Sequence, residues 1–252
     1  MARSLESAEA ARILNGRFDR LTLPETVQRV FEHVHAGRRG WLCTVNVAML
    51  MMMREDPALQ SFVDRASFVV ADGQPLLWVA PQFGSKLPAR VTGVDLIYAL
   101  SRRAGRERVS VGLLGAHASV VDEAARRLTS MYPDVRIAYT GDGWFAQDEA
   151  AKRADQIRES GTDILFVAMG VPLQERFIET QWDRLGVKLA IGVGGSFEVL
   201  AGVRARAPLA LQQRGLEWAY RLAQEPRRLW RRYLVTNSQF IYQLARHRLR
   251  GR

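Results

Sequence analysis

Asp72 closes an apolar run, Phe68-Val69-Val70-Ala71, and is followed at once by Gly73, Gln74 and Pro75. A carboxylate held at the end of such a run can take a proton from a substrate hydroxyl, which is the work of a general base. Gly73 permits a sharp turn and Pro75 suits the first turn of a helix, so the sequence predicts Asp72 on a strand-to-helix connection. Open α/β folds place their ligands at such connections. Asp-Gly is also a common turn dipeptide, so the case rests on the polar residues around it. A second apolar run, Trp41-Leu42-Cys43-Thr44-Val45-Asn46, likewise ends in polar groups, and Arg90 follows Asp72 closely. These residues are expected to form one polar cluster.

The elements that would position them alternate along the chain. Runs with strand character at 109–114, 135–140, 163–169 and 187–193 are separated by helical stretches near 94–104, 117–131, 147–159 and 173–184. Strands joined by helices require crossover connections, which predicts a Rossmann-like, mainly parallel sheet with helices on both faces. Before them, Thr22 and Glu25 have the spacing of a capping box for a helix reaching about His35. In a parallel sheet all strand C-termini reach one edge, so the residues after each strand converge there. They are Thr44 and Asn46; Asp72 and Gly73; Gly115 and His117; Gly141, Asp142, Gly143 and Trp144; Gly170, Gln174 and Glu175; and Gly192, Gly194, Gly195 and Ser196. Glycines there let backbone N–H groups approach a phosphate, and helix N-termini favour negative charge. A nucleotide diphosphate is the expected ligand of that edge.

Several chemistries find no support. No glycine turn completes the dinucleotide fingerprint or a P-loop, the four histidines lack zinc spacing, and there is no Asp-x-Asp pair, so neither metal nor cofactor is expected. Cys43 is the only cysteine, which rules out an internal disulfide. The N-terminus lacks the apolar segment of a signal peptide, and the uncharged stretch from Gly40 to Met53 is too short to span a bilayer. The net charge of +10 is concentrated at one end: residues 200–252 hold 12 arginines against Glu217 and Glu225, while the rest is balanced. This predicts an α/β body over 1–205 and a helical, arginine-rich appendage over 206–252. In the appendage, Leu229, Tyr233 and Phe240 or Ile241 share a stripe beside arginines, as in a helix lying on an anionic membrane surface. The alternative is a helix that docks on the body with its arginines in water.

The strand-end motifs, taken together and in order, resemble the WecG/TagA/CpsF family of bacterial glycosyltransferases. The resemblance runs through Thr44-x-Asn46, Ala71-Asp72-Gly73, Arg90-Val91-Thr92-Gly93, Gly141-Asp142-Gly143-Trp144-Phe145, Gly170-Val171-Pro172-Leu173-Gln174-Glu175, Gly192-Val193-Gly194-Gly195-Ser196 and Arg206-Ala207-Pro208. It continues into Gly215-Leu216-Glu217-Trp218 and Glu225-Pro226-x-Arg228. It implies a peripheral, cytoplasmic-face enzyme, with a homo-oligomer compatible, that moves a sugar from a UDP-sugar to a polyprenyl-diphosphate-linked saccharide by inversion without a metal. Asp72 would be the base, with Thr44, Asn46, Arg90 and Gln174 lining its pocket. With no metal, the charge on the departing diphosphate falls to arginines and backbone N–H groups, for which Arg90, Arg214, Arg221 and Arg228 are the candidates. The donor sugar stays open among N-acetylmannosamine, its uronic acid and glucose. The residues alone also leave a second reading, a nucleic-acid-binding module that uses the basic tail, although no such signature accompanies it and nucleic acid is not the expected partner.

Overall fold

The structure is a computed structural model, and it describes residues 10–250 apart from the side chains of Arg228 and Arg250. Its centre is a six-stranded, all-parallel sheet of β3 (Gly40–Val45), β4 (Phe68–Ala71), β5 (Ser110–Gly115), β6 (Arg136–Gly141), β7 (Ile164–Ala168) and β8 (Leu189–Gly192). The spatial order is β4-β3-β8-β7-β5-β6. An antiparallel hairpin of β1 (Ala10–Ile13) and β2 (Gly16–Asp19) lies outside it.

The sheet is buried on both faces because its side chains alternate between two cores. Cys43, Val69, Leu165 and Ala190 point to one, and Leu42, Val70, Phe166 and Ile191 to the other. Helices α2 (Val47–Glu55), α3 (Pro57–Asp64), α4 (Gln74–Val79), α7 (Ala150–Glu159) and α8 (Leu173–Leu185) cover the first face. Helices α1 (Leu23–His35), α5 (Gly93–Glu107), α6 (Ala118–Met131) and α9 (Phe197–Leu200) cover the second. The near-continuous apolar strands are what a doubly covered parallel sheet requires.

Capping sets where the helices begin. The expected box at α1 forms, with the Thr22 N–H donating to Glu25 at 2.8 Å and the Thr22 hydroxyl accepting from the Glu25 N–H. Asn46 caps α2 by accepting from the Met49 N–H at 3.0 Å, and Thr92 caps α5 by accepting from the Asp95 N–H at 3.1 Å. Both caps sit on the C-terminal edge of the sheet, so local helix chemistry fixes two polar residues there.

After Pro208 the chain is helical: α10 (Leu209–Gln213), α11 (Glu217–Gln224) and the 25-residue α12 (Pro226–Arg250). Helix α12 packs on α2, with Leu229 and Phe240 buried. Polar contacts hold it along its length: Arg54 donates to Gln243 at 3.3 Å, Gln239 to Glu55 at 2.6 Å and Arg248 to Gln82 at 3.1 Å. The Phe83 and His247 rings stack at 4.2 Å. The predicted stripe therefore divides. Leu229, Tyr233, Phe240 and Ile241 all line the cleft beside the body, but Leu229 and Phe240 are buried there while Ile241 stays largely exposed, as are Trp230, Leu234, Val235, Tyr242 and Leu249. The helix is apolar on two sides, so one stripe docks while the other remains outside. Among the described residues no helix is long and apolar enough to cross a membrane.

Candidate active site

The C-terminal edge of the sheet and the C-terminal helices enclose a cleft of about 830 Å³. Thr44, Asn46, Asp72, Gly73, Arg90, Gly143, Gln174, Gly194, Gly195 and Arg221 all line it, so most of the residues expected to converge do so. Gly115, Gly192, Glu175 and Arg214 do not. Gly115 and Gly192 lie within the sheet edge, Glu175 is buried beneath it, and Arg214 is exposed after α10. Arg228 falls on a side chain outside the described residues.

Asp72 occupies the position its sequence context predicts. Its N–H donates to the Val45 carbonyl at 2.9 Å, and the Val91 N–H donates to the Ala71 carbonyl at 2.9 Å, so three chain segments meet around it. Among the described residues no hydrogen-bond donor reaches its carboxylate. Burial is the main reason that its pKa is raised to about 6. Glu217 and Asp95 push in the same direction, while Arg221 and Arg90 oppose them. The group is thus ionised at neutral pH yet more basic than an ordinary carboxylate, as a general base requires.

Gln174 is buried and serves the chain itself. Its side-chain oxygen accepts from the N–H groups of Gly170 at 3.2 Å and Gly194 at 3.0 Å, and its Nε2 donates to Glu175 Oε1 at 2.7 Å. One side chain thereby ties together the loops after β7 and β8. Gly192 is required by this arrangement, since a Cβ there would come within 2.5 Å of Gln174 Nε2. Thr44 adds a tie from β3, its hydroxyl donating to the Gly192 carbonyl at 3.2 Å. The Gly143 N–H donates to the Ala116 carbonyl at 2.9 Å. The N–H groups of Gly143, Gly170 and Gly194 are therefore occupied within the protein. Glu175 itself has its pKa raised by burial to about 7, so near neutral pH it is shared between the protonated and charged forms.

The other wall is built by charge. Arg90 donates to Glu217 and, at 2.8 Å, to Gln212 Oε1. Asp95 pairs with Arg206 through both oxygens, at 2.7 and 2.8 Å, and accepts from the Thr92 hydroxyl at 2.8 Å. These partners hold the Asp95 carboxyl below the usual carboxylate range despite its burial. Arg221 lines the same wall and has no ion-pair partner among the described residues. At the far end, His117 and Trp144 stack at 4.9 Å, with Trp144 71% exposed.

The defining sequence pattern of the Glycosyl transferase WecG/TagA/CpsF family matches residues 11–252. The chain belongs to this family. A relative from Bacillus spizizenii (strain ATCC 23059 / NRRL B-14472 / W23) is 32% identical over 215 residues, covering 85% of this chain and 82% of its own length. That relative is named N-acetylglucosaminyldiphosphoundecaprenol N-acetyl-beta-D-mannosaminyltransferase. The chain is accordingly a glycosyltransferase, and the WecG/TagA/CpsF match spans the sheet and the C-terminal helices alike.

Sequence reasoning missed Glu217 as a lining residue of the cleft, and missed the pairs behind that wall, Arg90 with Gln212 and Asp95 with Arg206. A signal existed for Glu217: it is one of two carboxylates in an otherwise basic tail. The other, Glu225, also has an arginine partner, Arg204 at 2.9 Å. An acid kept among so many bases has a specific cation to meet.

Proposed function

We propose that the protein is an inverting glycosyltransferase that moves a sugar from a UDP-sugar to a polyprenyl-diphosphate-linked saccharide. Within that class, N-acetylmannosamine is the first donor sugar to test, because it is the sugar named for the Bacillus relative. The observation that carries the reading is Asp72, a carboxylate of raised basicity, unpaired and at the edge of a cleft large enough for a nucleotide sugar. Asp72 takes the proton from the acceptor hydroxyl as that oxygen attacks the anomeric carbon. The new C–O bond forms on the face opposite the leaving group, and the bond to the diphosphate breaks. Negative charge then develops on the departing UDP.

Arg221 lies on the same wall and is the residue best suited to meet that charge, because among the described residues its guanidinium has no ion-pair partner. Gln174 and Thr44 hold the strand-end loops at their mutual spacing, so their contribution is to position. Residues 206–252 act as an appendage that closes the cleft. The exposed apolar face of α12, interleaved with Arg227, Arg231 and Arg246, rests on the anionic membrane that holds the lipid-linked acceptor.

UDP release against a panel of UDP-sugars, with a short-chain polyprenyl-diphosphate N-acetylglucosamine as acceptor, tests the reading. Acceptor-dependent release with one donor is expected, and it should survive EDTA. The absence of release with every donor, from folded protein, would sink it.

A further inference from the structure

The ion pair between Arg90 and Glu217 joins the segment before α5 to the first turn of α11, two parts of the chain that meet only when the C-terminal helices are docked. Both Arg90 Nη atoms are committed there, one to Glu217 and one to Gln212. Both partners of the pair are half-buried, with side chains 15% and 21% exposed, so water screens the contact only in part. Among the described residues no ion pair joins Arg90 to Asp72, although both line the cleft. Arg90 and Arg221 both favour the charged form of Asp72, and an Asp72 paired with Arg90 would be a poor base.

We propose that Glu217 is a positioning residue of the catalytic centre: with Gln212 it holds the Arg90 guanidinium away from Asp72 and keeps a carboxylate charge facing the base. The C-terminal helices then do more than cover the cleft, because α11 brings to it the carboxylate that restrains Arg90 and faces the base. The charged groups that face Asp72 support this assignment. Glu217 and Arg221 come from α11, Arg90 from the segment before α5, Asp95 from α5 itself, and Arg206 from the loop before α10. Of the two carboxylates, Asp95 is engaged with Arg206 through both oxygens and exerts the smaller pull. Glu217 is the strongest charged influence on Asp72.

The proposal deepens the general-base reading and rests on it, but its test does not need turnover. In the full-length protein labelled with 13C-carboxyl aspartate, the Asp72 signal is assigned by its loss in Asp72→Asn and followed through pH. The wild-type midpoint is expected near pH 6. In Glu217→Gln, which keeps the size of the side chain, the midpoint should fall by on the order of one unit. Glu217→Asp should restore it. A midpoint that stays in place or rises in Glu217→Gln overturns the proposal, whatever happens to activity. Comparing Arg90→Gln with Arg90→Gln/Glu217→Gln repeats the test where the ion pair is already gone, and the double variant must titrate lower. A shifted midpoint in a protein that transfers no sugar refutes the reaction and leaves the latch, whereas an unshifted one in an active enzyme refutes the latch alone.

Discussion

On the sheet side of the cleft the polar groups are held by the chain's own backbone, and on the helical side they are held by one another. The Gln174 side-chain oxygen, the Thr44 hydroxyl and the Asn46 side-chain oxygen each bond main-chain groups of the strand ends or of the helix turn that follows. Arg90, Glu217, Asp95 and Arg206 instead form side-chain pairs that cross more than a hundred residues of sequence. The first arrangement gives rigidity, because a buried backbone N–H is costly to leave unpaired. The second gives a tunable field, because each charge in a half-buried pair acts on its neighbours through water that screens it only in part. A transferase needs both: a fixed place for the reacting atoms and a field that can accept the charge leaving with the nucleotide.

The largest break in this comparison comes from Asp72→Asn on the sheet side. It keeps shape and removes basicity, so kcat should fall about 10²- to 10⁴-fold with little change in KM for the UDP-sugar. Near-wild-type turnover by that variant would remove the general-base assignment. On the helical side, Arg221→Gln should lower kcat about 10²-fold, since it withdraws a charged donor from the developing diphosphate. An effect confined to KM would instead make Arg221 a ground-state binding group.

The helical side also has an outer surface, and Trp230→Ser with Leu234→Ser sharpens its role. These side chains are 47% and 60% exposed, so folding should be indifferent to their loss. Each apolar side chain transferred from water to lipid contributes roughly 1.5–3 kcal/mol when fully buried. Partial insertion of both should make the double variant about tenfold weaker in co-sedimentation with anionic liposomes. Unchanged sedimentation would move the membrane contact elsewhere.

The sheet side was legible in the sequence because its logic is local. An apolar run ending in Asp72-Gly73 or in Thr44-x-Asn46 is a strand end, and a parallel sheet brings strand ends to one edge. The helical side was legible only as composition. Twelve arginines announce a basic element but do not say that Arg90 will find Glu217 and Gln212, a pairing that exists only once α10 and α11 fold back over α5. Periodicity named Leu229, Tyr233 and Phe240 or Ile241 as one stripe, yet a helix with apolar residues on two sides gives no internal sign of which side docks. The role of Gln174 was hidden for a related reason. Its residue type fits a sugar hydroxyl as well as a pair of glycine N–H groups, and only the loop geometry decides between them.

The smallest expected effect probes what stands beneath the sheet side. Glu175 is 4% exposed, accepts from Gln174 Nε2, and leaves Oε2 without a partner among the described residues. Desolvation is the main cause of its pKa of about 7, partly offset by Gln174, its own N–H and Arg232. A folded-state pKa raised above the unfolded one means that the native protein holds a proton which the unfolded chain has released. The resulting stability is fully present below the unfolded value of 4.5 and is lost as pH rises toward about 7. The protein should therefore lose on the order of 2 kcal/mol of unfolding free energy between pH 5 and pH 8 from this group. Asp72 adds a loss of the same sign, which begins above its ordinary value of 3.8 and ends as pH rises through about 6. In Glu175→Gln the Gln174 contact keeps an acceptor and the titration disappears. Urea unfolding at pH 5, 6, 7 and 8 should then give a flatter profile for the variant than for the wild type, with the two closest at pH 5. Parallel profiles would mean that Glu175 is already charged in the folded protein, and that the ties between Gly170, Gly194 and Gln174 rest on a buried carboxylate instead of a neutral acid.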